Sequence, residues 1–496
     1  MSGVGKGVGV DVGKDVVKDV VVIGAGFGGL GAALALAERG ARVTLCEALT
    51  YPGGCASTFT RKGVRYEAGA TLFSGLRPGQ LFGDWISRFE LPVTVDWIDP
   101  VVETRSPGLS LPVDRDRAAF VERLCALPGA PESSLRRFFS EQGAHADTLW
   151  ELFDHPELLP PVSFGSLLQH MSRVPRYAPL LPLLLRPLSA MVARHGLGDF
   201  EPFQTWLSGV CQITVQCPPQ EAETAFAVAA MDYCWRGTGH IRGGIGTLAD
   251  GLVTAIGRAG GEVRLANRVS ALRRDGDSWV VETRSGPVVA DAVVANLLPG
   301  DLARLLAGHK ALEERQKPVA DGWGAVMLYR VVRGEDGPAH HLDLTLDRAA
   351  PLVDGNHVFV SVASTEDERG APPGCRVLTA STHVSLARLR TGDPADTVAR
   401  IQQHMRHTIS VLAPEVNDVV SEMTASPRTF QRFVRRAEGA VGGVPRRSGL
   451  AAWAQLGPVS PERGLWLVGD SVFPGQSTYA AALGGVRVAE AILRGG

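Results

Sequence analysis

Residues 20–47, VVVIGAGFGGLGAALALAERGARVTLCE, decide the fold. Val20 to Ile23 form an apolar run with the character of a fully buried parallel strand. Gly24, Gly26 and Gly29 follow at G-x-G-x-x-G spacing. Ala32 to Arg39 predict a helix of small and apolar residues, Gly40 its cap, and Arg42 to Cys46 a second strand that ends on Glu47. Strand, helix, second strand and terminal acid in register make a dinucleotide-binding βαβ unit. Gly24 permits the tight turn, Gly26 lets backbone N–H groups approach a pyrophosphate, and Gly29 lets helix and strand pack closely. The helix N-terminus stabilises phosphate charge. Glu47 is placed to accept hydrogen bonds from a ribose diol and would repel a 2′-phosphate.

At 496 residues and 52.6 kDa the chain can bury a large core, and two domains are expected. Basic and acidic residues nearly balance, 50 against 52, with no basic block, which argues against nucleic acid as a partner. The 7 cysteines include no C-x-x-C pair, which argues against a disulfide framework or a zinc site and fits a reducing compartment. His404 and His407 share a helical face, but no third ligand lies nearby, so no metal is expected. No G-x-S-x-G elbow supports a serine hydrolase. Residues 1–19 lack a secretory h-region or transit-peptide character and read as a lead-in to the first strand, which suggests the cytoplasm.

Beyond Glu47, Pro52-Gly53-Gly54 marks a turn and Val64 to Thr71 a short strand ending in small residues, with room for a flat ring system. The run GGCASTFTRKGVRYEAGATLFSG, residues 53–75, resembles the flavoprotein family of carotenoid desaturases, carotenoid isomerases, retinol saturases and, more distantly, amine oxidases. The wording is most similar to the carotenoid isomerase and terminal desaturase branch. Phytoene desaturases usually carry Arg or Lys where Cys55 stands. Gly464 to Asp470, an apolar strand ending in Gly-Asp, and the helix opened by Pro474-Gly475-Gln476-Ser477 resemble the closing motif of the same family. There the Asp binds the ribitol chain of FAD, and the helix N-terminus faces the flavin pyrimidine.

Between these motifs, Gly243 to Ile256 read as a glycine turn and helix, and Glu262 to Leu265 as a strand. A β-meander follows from Asn267 to Val288, and Asp291 to Ala295 form a buried strand. By resemblance this block completes the flavin domain, with Val269 meeting the adenine through its backbone. The resemblance implies an α/β fold, a Rossmann-like FAD-binding domain built from discontinuous segments (18–75, 220–300 and 440–496). An α+β substrate domain (76–219 and 301–439) is inserted into it. The implied FAD-binding residues are Gly24, Ala25, Gly26, Gly28, Gly29, Glu47, Ala48, Gly54, Cys55, Ala56, Ala70, Thr71, Val269, Gly469, Asp470, Gly475, Gln476 and Ser477. FAD is preferred to NAD because Pro52 to Ala56 and Gly469 to Ser477 have no role in a simple nicotinamide fold.

Residues 76–219 read as a mixed region, with loop signals at Pro128-Gly129 and Pro160-Pro161. Within it, Tyr177 to Val192 is apolar but broken by Pro179, Pro182 and Pro187, too short to span a bilayer, which needs about 20 apolar residues. With Arg173, Arg176, Arg186 and Arg194 around it, the segment suits either a membrane interface or a buried substrate wall. Residues 301–440 carry strand-like runs at 325–332, 357–362 and 376–382 and a helix at 395–412. The resemblance implies redox chemistry on an apolar polyene or isoprenoid, desaturation ahead of isomerisation or saturation, with peripheral membrane association. No acid–base pair with identifiable spacing emerges. Glu67 is the one acid in a flavin-proximal motif, a weak catalytic candidate better explained by a structural hydrogen bond. An amine oxidase on the same fold, or a flavin-retaining protein without catalysis, stays open.

Overall fold

The computed structural model describes residues 18–155, 158–160, 164–337, 339–367, 369–453 and 456–494. Of the expected lead-in, residues 1–19, only Lys18 and Asp19 lie within the described residues, Asp19 already opening the first strand; the second proline of Pro160-Pro161, at 161, lies outside them.

Asp19–Ile23 is the central strand of a six-stranded sheet. Arg42–Cys46 and then Glu262–Arg264 flank it on one side, Ala292–Ala295 and Leu465–Leu467 on the other, all parallel. Val459–Glu462 adds an antiparallel edge. Ile23 pairs with both Cys46 and Ala295, and Ala295 with Leu467, so these strands end at one level. The loops that follow therefore share one rim, the place where open α/β sheets bind ligands.

Alternation along the central strand sorts the core. Val20 and Val22 face the helices Phe27–Ala37, Gly246–Arg258 and Thr478–Leu493, whereas Val21 and Ile23 face the antiparallel meander 269–290. The first helix begins at Phe27, earlier than the residue pattern suggested, and ends at Ala37, before Gly40 at φ +85°. It is buried along its whole length. That requires the small residues the sequence supplies. The strand expected over 64–71 is confined to Val64–Glu67 and pairs with Thr58–Arg61; beyond it Ala68 turns to donate to the Ser57 carbonyl.

A second, eight-stranded sheet gathers Val102–Ser106 and Leu109–Val113 with His341–Thr345, His357–Val362, Cys375–Ser385, Trp323–Arg333, Val419–Ala425 and Ala440–Val441. One face, with Leu342, Leu344, Val358 and Val360, packs under the helix Pro394–Leu412. Residues 76–219 hold the strands Val95–Asp96, Val102–Ser106 and Leu109–Val113 and then, from Arg117, a run of helices whose core is an aromatic cluster of Phe120, Phe138, Phe139, Phe203, Trp206 and Trp235. Tyr177 to Val192 divides between its two readings. Leu180, Leu183, Leu188, Met191 and Val192 are buried, while Leu181 and Leu185 are exposed.

Candidate functional site

The rim of the first sheet opens into a cavity of about 1030 Å³ that continues to the free face of the second sheet. Gly24, Gly26, Gly28, Glu47, Ala48, Gly54, Cys55 and Ala56 line its first part, with Ala70, Thr71, Val269, Gly469, Asp470, Gln476 and Ser477. Chain segments more than 400 residues apart thus meet at one wall because their strands end together.

Local chemistry explains most placements. A Cβ on Gly29 would lie 2.0 Å from the Gly24 carbonyl oxygen, so helix and strand touch through backbone alone. Gly29 itself does not line the cavity, nor does Ala25, whose N–H donates to Glu47 Oε2 at 2.6 Å. Glu47 Oε1 accepts the Leu49 N–H at 2.8 Å. Burial raises the pKa of Glu47 in spite of these backbone bonds. A carboxylate has roughly four lone-pair directions, so capacity remains for a diol. Gly475 also stays off the cavity wall; a Cβ there would fall 2.7 Å from an Arg446 nitrogen. The Ser477 hydroxyl caps the last helix by accepting the Ala480 N–H at 3.0 Å.

Glu67 stands apart from the cavity. It is buried, pairs with Arg369 at 3.5 Å and accepts the Ile245 N–H at 3.3 Å. Arg369 in turn binds Asp367, which also accepts from His240 at 2.8 Å. These contacts give Glu67 a structural task and no place on the cavity wall.

Several cavity residues belong to no motif. Asn296 follows the fourth strand of the rim, and its amide fills the space that side chains on Gly26 or Gly28 would take, 2.6 and 2.8 Å from their missing Cβ atoms. Arg436 donates to both Asp470 oxygens at 2.8 and 3.0 Å. Arg446 is half-buried; loss of hydration pushes its pKa down to about 10, and it rests over Phe226 and donates to the Pro474 carbonyl at 3.2 Å. Burial pushes the Cys55 thiol up to about 11, so it is inert at neutral pH.

The second sheet contributes alternate residues of its free face: Thr104, Asp343, His357, Phe359, Ser381 and His383. His357 Nε2 lies 2.5 Å from Asp343 Oδ1, both side chains almost wholly buried. His383 Nδ1 is 3.4 Å from the Gln212 amide nitrogen, and burial beside His357 pushes its pKa down to about 4. No spacing in the sequence marks this carboxylate and imidazole as neighbours. Asp343 and His357 are 14 residues apart on adjacent strands, and only strand register brings them together.

The donor set fits a flavin dinucleotide: a groove of bare glycines, a buried acid at the second strand's end, and a polar atom left open. Gln476 Oε1, on the cavity wall, is buried without a hydrogen-bond partner among the described residues. The model of the flavin containing amine oxidoreductase family matches residues 27–493. The chain belongs to this family. As a member of it, the protein is an FAD-dependent oxidoreductase.

It is 25% identical over 505 residues to prolycopene isomerase 2 of an Oncidium hybrid cultivar, covering 95% of this chain and 83% of that protein. It is 28% identical over 529 residues to hydroxyneurosporene desaturase of Cereibacter sphaeroides, covering 95% and 97%. It is 25% identical over 520 residues to human all-trans-retinol 13,14-reductase, covering 91% and 82%. Among solved structures, wild-type putrescine oxidase bound to putrescine superposes with a TM-score of 0.63 at 16% identity, over 96% of this chain and 99% of that one. That likeness shows the shared fold.

Proposed function

We propose that this oxidoreductase introduces C=C double bonds into an acyclic carotenoid. One observation carries the reading: the glycine-lined groove opens directly into a chamber walled by Leu149, Leu152, Phe153, Leu159, Phe226 and Met327. Such a chamber accepts a long apolar chain and holds water off it. Bound FAD supplies a two-electron acceptor for a C–H bond. Gly24, Gly26 and Gly28 would admit its pyrophosphate, Glu47 a ribose diol, Val269 the adenine and Asp470 the ribitol. Cys55, Thr71, Gln476 and Ser477 would border the ring. In this reading residues 18–75, 220–300 and 440–496 form the flavin domain, and 76–219 with 301–439 the substrate domain.

A lipid surface is the proposed source of substrate. The helix Phe164–Tyr177 and the turn after it expose Leu167, Leu168, Met171, Val174, Leu181 and Leu185, between 46% and 65% each. Leu167 and His170 of the same helix also line the cavity, so its mouth lies at this apolar patch. No described helix is long and apolar enough to cross a membrane, and docking would be at the interface.

The second reading is cis–trans isomerisation, favoured by the prolycopene isomerase relatives. Anaerobic mixing of the oxidised holoenzyme with acyclic carotenes decides. Desaturation bleaches the flavin once, stoichiometrically, moves polyene absorption to longer wavelength and lowers product mass by two hydrogens. Isomerisation requires reduced flavin and leaves the mass unchanged, and an amine oxidase would ignore carotenes and release peroxide from amines.

A further inference from the structure

One charge on the cavity wall has no counter-charge. Two of the arginines that line the cavity, Arg436 and Arg446, are half-buried. Arg436 is paired with Asp470. Arg446 makes no ion pair among the described residues, and loss of hydration is the one cause of its lowered pKa. Glu223 donates its N–H to the Arg446 carbonyl at 2.9 Å, but its carboxylate is turned to the Leu185 and Gly449 N–H groups, at 2.8 and 3.3 Å. The guanidinium is nevertheless held in place. Its carbon lies 5.2 Å from the centre of the Phe226 ring, and Nη2 donates to the Pro474 carbonyl at 3.2 Å. A Cβ on Gly475 would fall 2.7 Å from the same nitrogen, so the glycine leaves room for it. Phe226 in turn meets Trp453 at 5.4 Å and Phe473 at 6.2 Å, and all three rings line the cavity. A fixed and uncompensated cation thus stands among aromatic rings on an apolar wall.

Desolvating a cation without a partner is costly, and stacking on an aromatic face offsets only part of that cost. A single carbonyl takes one of the five N–H donors of a guanidinium. The group that completes the site follows from its charge. A hydrocarbon end answers neither the charge nor the donors. A hydroxyl or ketone accepts hydrogen bonds but leaves the charge uncancelled. A phosphate monoester carries nearly two negative charges at neutral pH and would leave one over. A carboxylate matches the single positive charge and the fork of donors together. We infer that the substrate is a polyene acid, an apolar chain ending in a carboxylate that pairs with Arg446. This inference rests on the polyene reading above and narrows it. Arg446 is then a specificity-determining residue, which fixes the end by which the chain is held and how far it enters.

The test uses purified FAD-loaded enzyme and four ligands of equal chain length: an acyclic polyene monocarboxylic acid, its methyl ester, the parent hydrocarbon and a saturated fatty acid. Dissociation constants come from quenching of tryptophan fluorescence, at a pH where the acids are ionised. In wild type the polyene acid should bind about tenfold tighter than its ester or the hydrocarbon. It should also bind tighter than the saturated acid, and it alone of the two acids should bleach the flavin. In Arg446→Met the preference for acid over ester should vanish, with flavin content reporting retention of the fold. Arg446→Lys keeps the charge and should keep part of the preference. The comparison of acid with ester in wild type needs no variant, so the test stays open if the methionine variant misfolds. An ester bound as tightly as the acid in wild type, or a preference that survives Arg446→Met, overturns the inference while leaving polyene chemistry standing. A saturated acid bound as tightly as the polyene acid assigns the site to fatty acids and overturns it too. Failure of all three polyenes to bind or bleach the flavin, by contrast, defeats the polyene reading itself.

Discussion

A Cβ on Gly485 would lie 2.1 Å from the carbonyl oxygen of Gly28. The last helix therefore rests directly on the backbone at the start of the first, and a Cβ on Gly31 would likewise meet the Ala482 carbonyl at 2.5 Å. Alanine favours a helix over glycine by about 1 kcal/mol. Here the contact outweighs propensity, because overpacking a tight core costs about 1–3 kcal/mol. Gly485→Ala should lower the unfolding temperature and weaken flavin retention together, read by thermal unfolding and by absorbance of the eluted protein.

Glu47 offers a second check. Glu47→Gln puts an amide NH₂ against one of two backbone donors, Ala25 N–H or Leu49 N–H, at a cost of about 1–3 kcal/mol. Charge-assisted bonds to a ribose diol would be lost as well, each worth about 1.5–3 kcal/mol. The FAD dissociation constant, measured by flavin fluorescence, should rise at least tenfold; an unchanged value would refute the placement of the diol.

Arg436 holds the Asp470 carboxylate through both oxygens. The pair is part-buried, so leaving Asp470 without its partner costs about 1–3 kcal/mol. Arg436→Leu should therefore leave a destabilised protein that purifies colourless, and Arg436→Lys should recover part of both properties. Equal flavin content in wild type and the leucine variant would contradict this.

The pH response of stability should carry the mark of His383. Its folded pKa of about 4 lies below the value of about 6.5 for a free histidine. Its contribution is therefore complete above pH ~6.5 and is lost as pH falls toward 4. The unfolded state binds one more proton in that window, a slope of about 1.4 kcal/mol per pH unit. His383→Phe should flatten the dependence of urea-unfolding free energy on pH by about that amount. His341, pushed down to about 3 by burial, leaves a similar slope in place.

Exposed apolar residues around the cavity mouth can be changed without touching the core. Leu168→Asp with Met171→Asp should shift stability by no more than about 0.5 kcal/mol. It should, however, abolish flotation with liposomes if this face enters the lipid interface. Retained flotation would place the membrane contact elsewhere.

The glycine-lined half of the cavity was legible because its information is local. Strand, glycine turn and helix between Val20 and Glu47, and again between Gly464 and Leu493, announce themselves within some thirty residues each. The meander and the strand near Ala295 were equally readable from alternation. The substrate wall was not. Asp343, His357 and His383 come from three strands, and nothing within any one strand marks its residue as facing the others. Asn296, Arg436 and Arg446 are single residues whose importance comes only from what they touch. The helical character of 114–231 was hidden by its prolines, several of which sit at helix starts or between short helices. Glu67 looked flavin-proximal from its motif, but Arg369, some 300 residues later, claims it.

The parallel sheet has a consequence for biosynthesis. Its central strand is made some 440 residues before Leu465–Leu467 and the helix Thr478–Leu493 that completes the wall. A nascent chain on the ribosome thus carries the glycine turn long before the partner segment that covers it. Domains commonly fold as they emerge, yet this one must wait. A premature stop before residue 465 would leave the glycine turn without the strand Leu465–Leu467 and the helix Thr478–Leu493 that close this wall of the cavity.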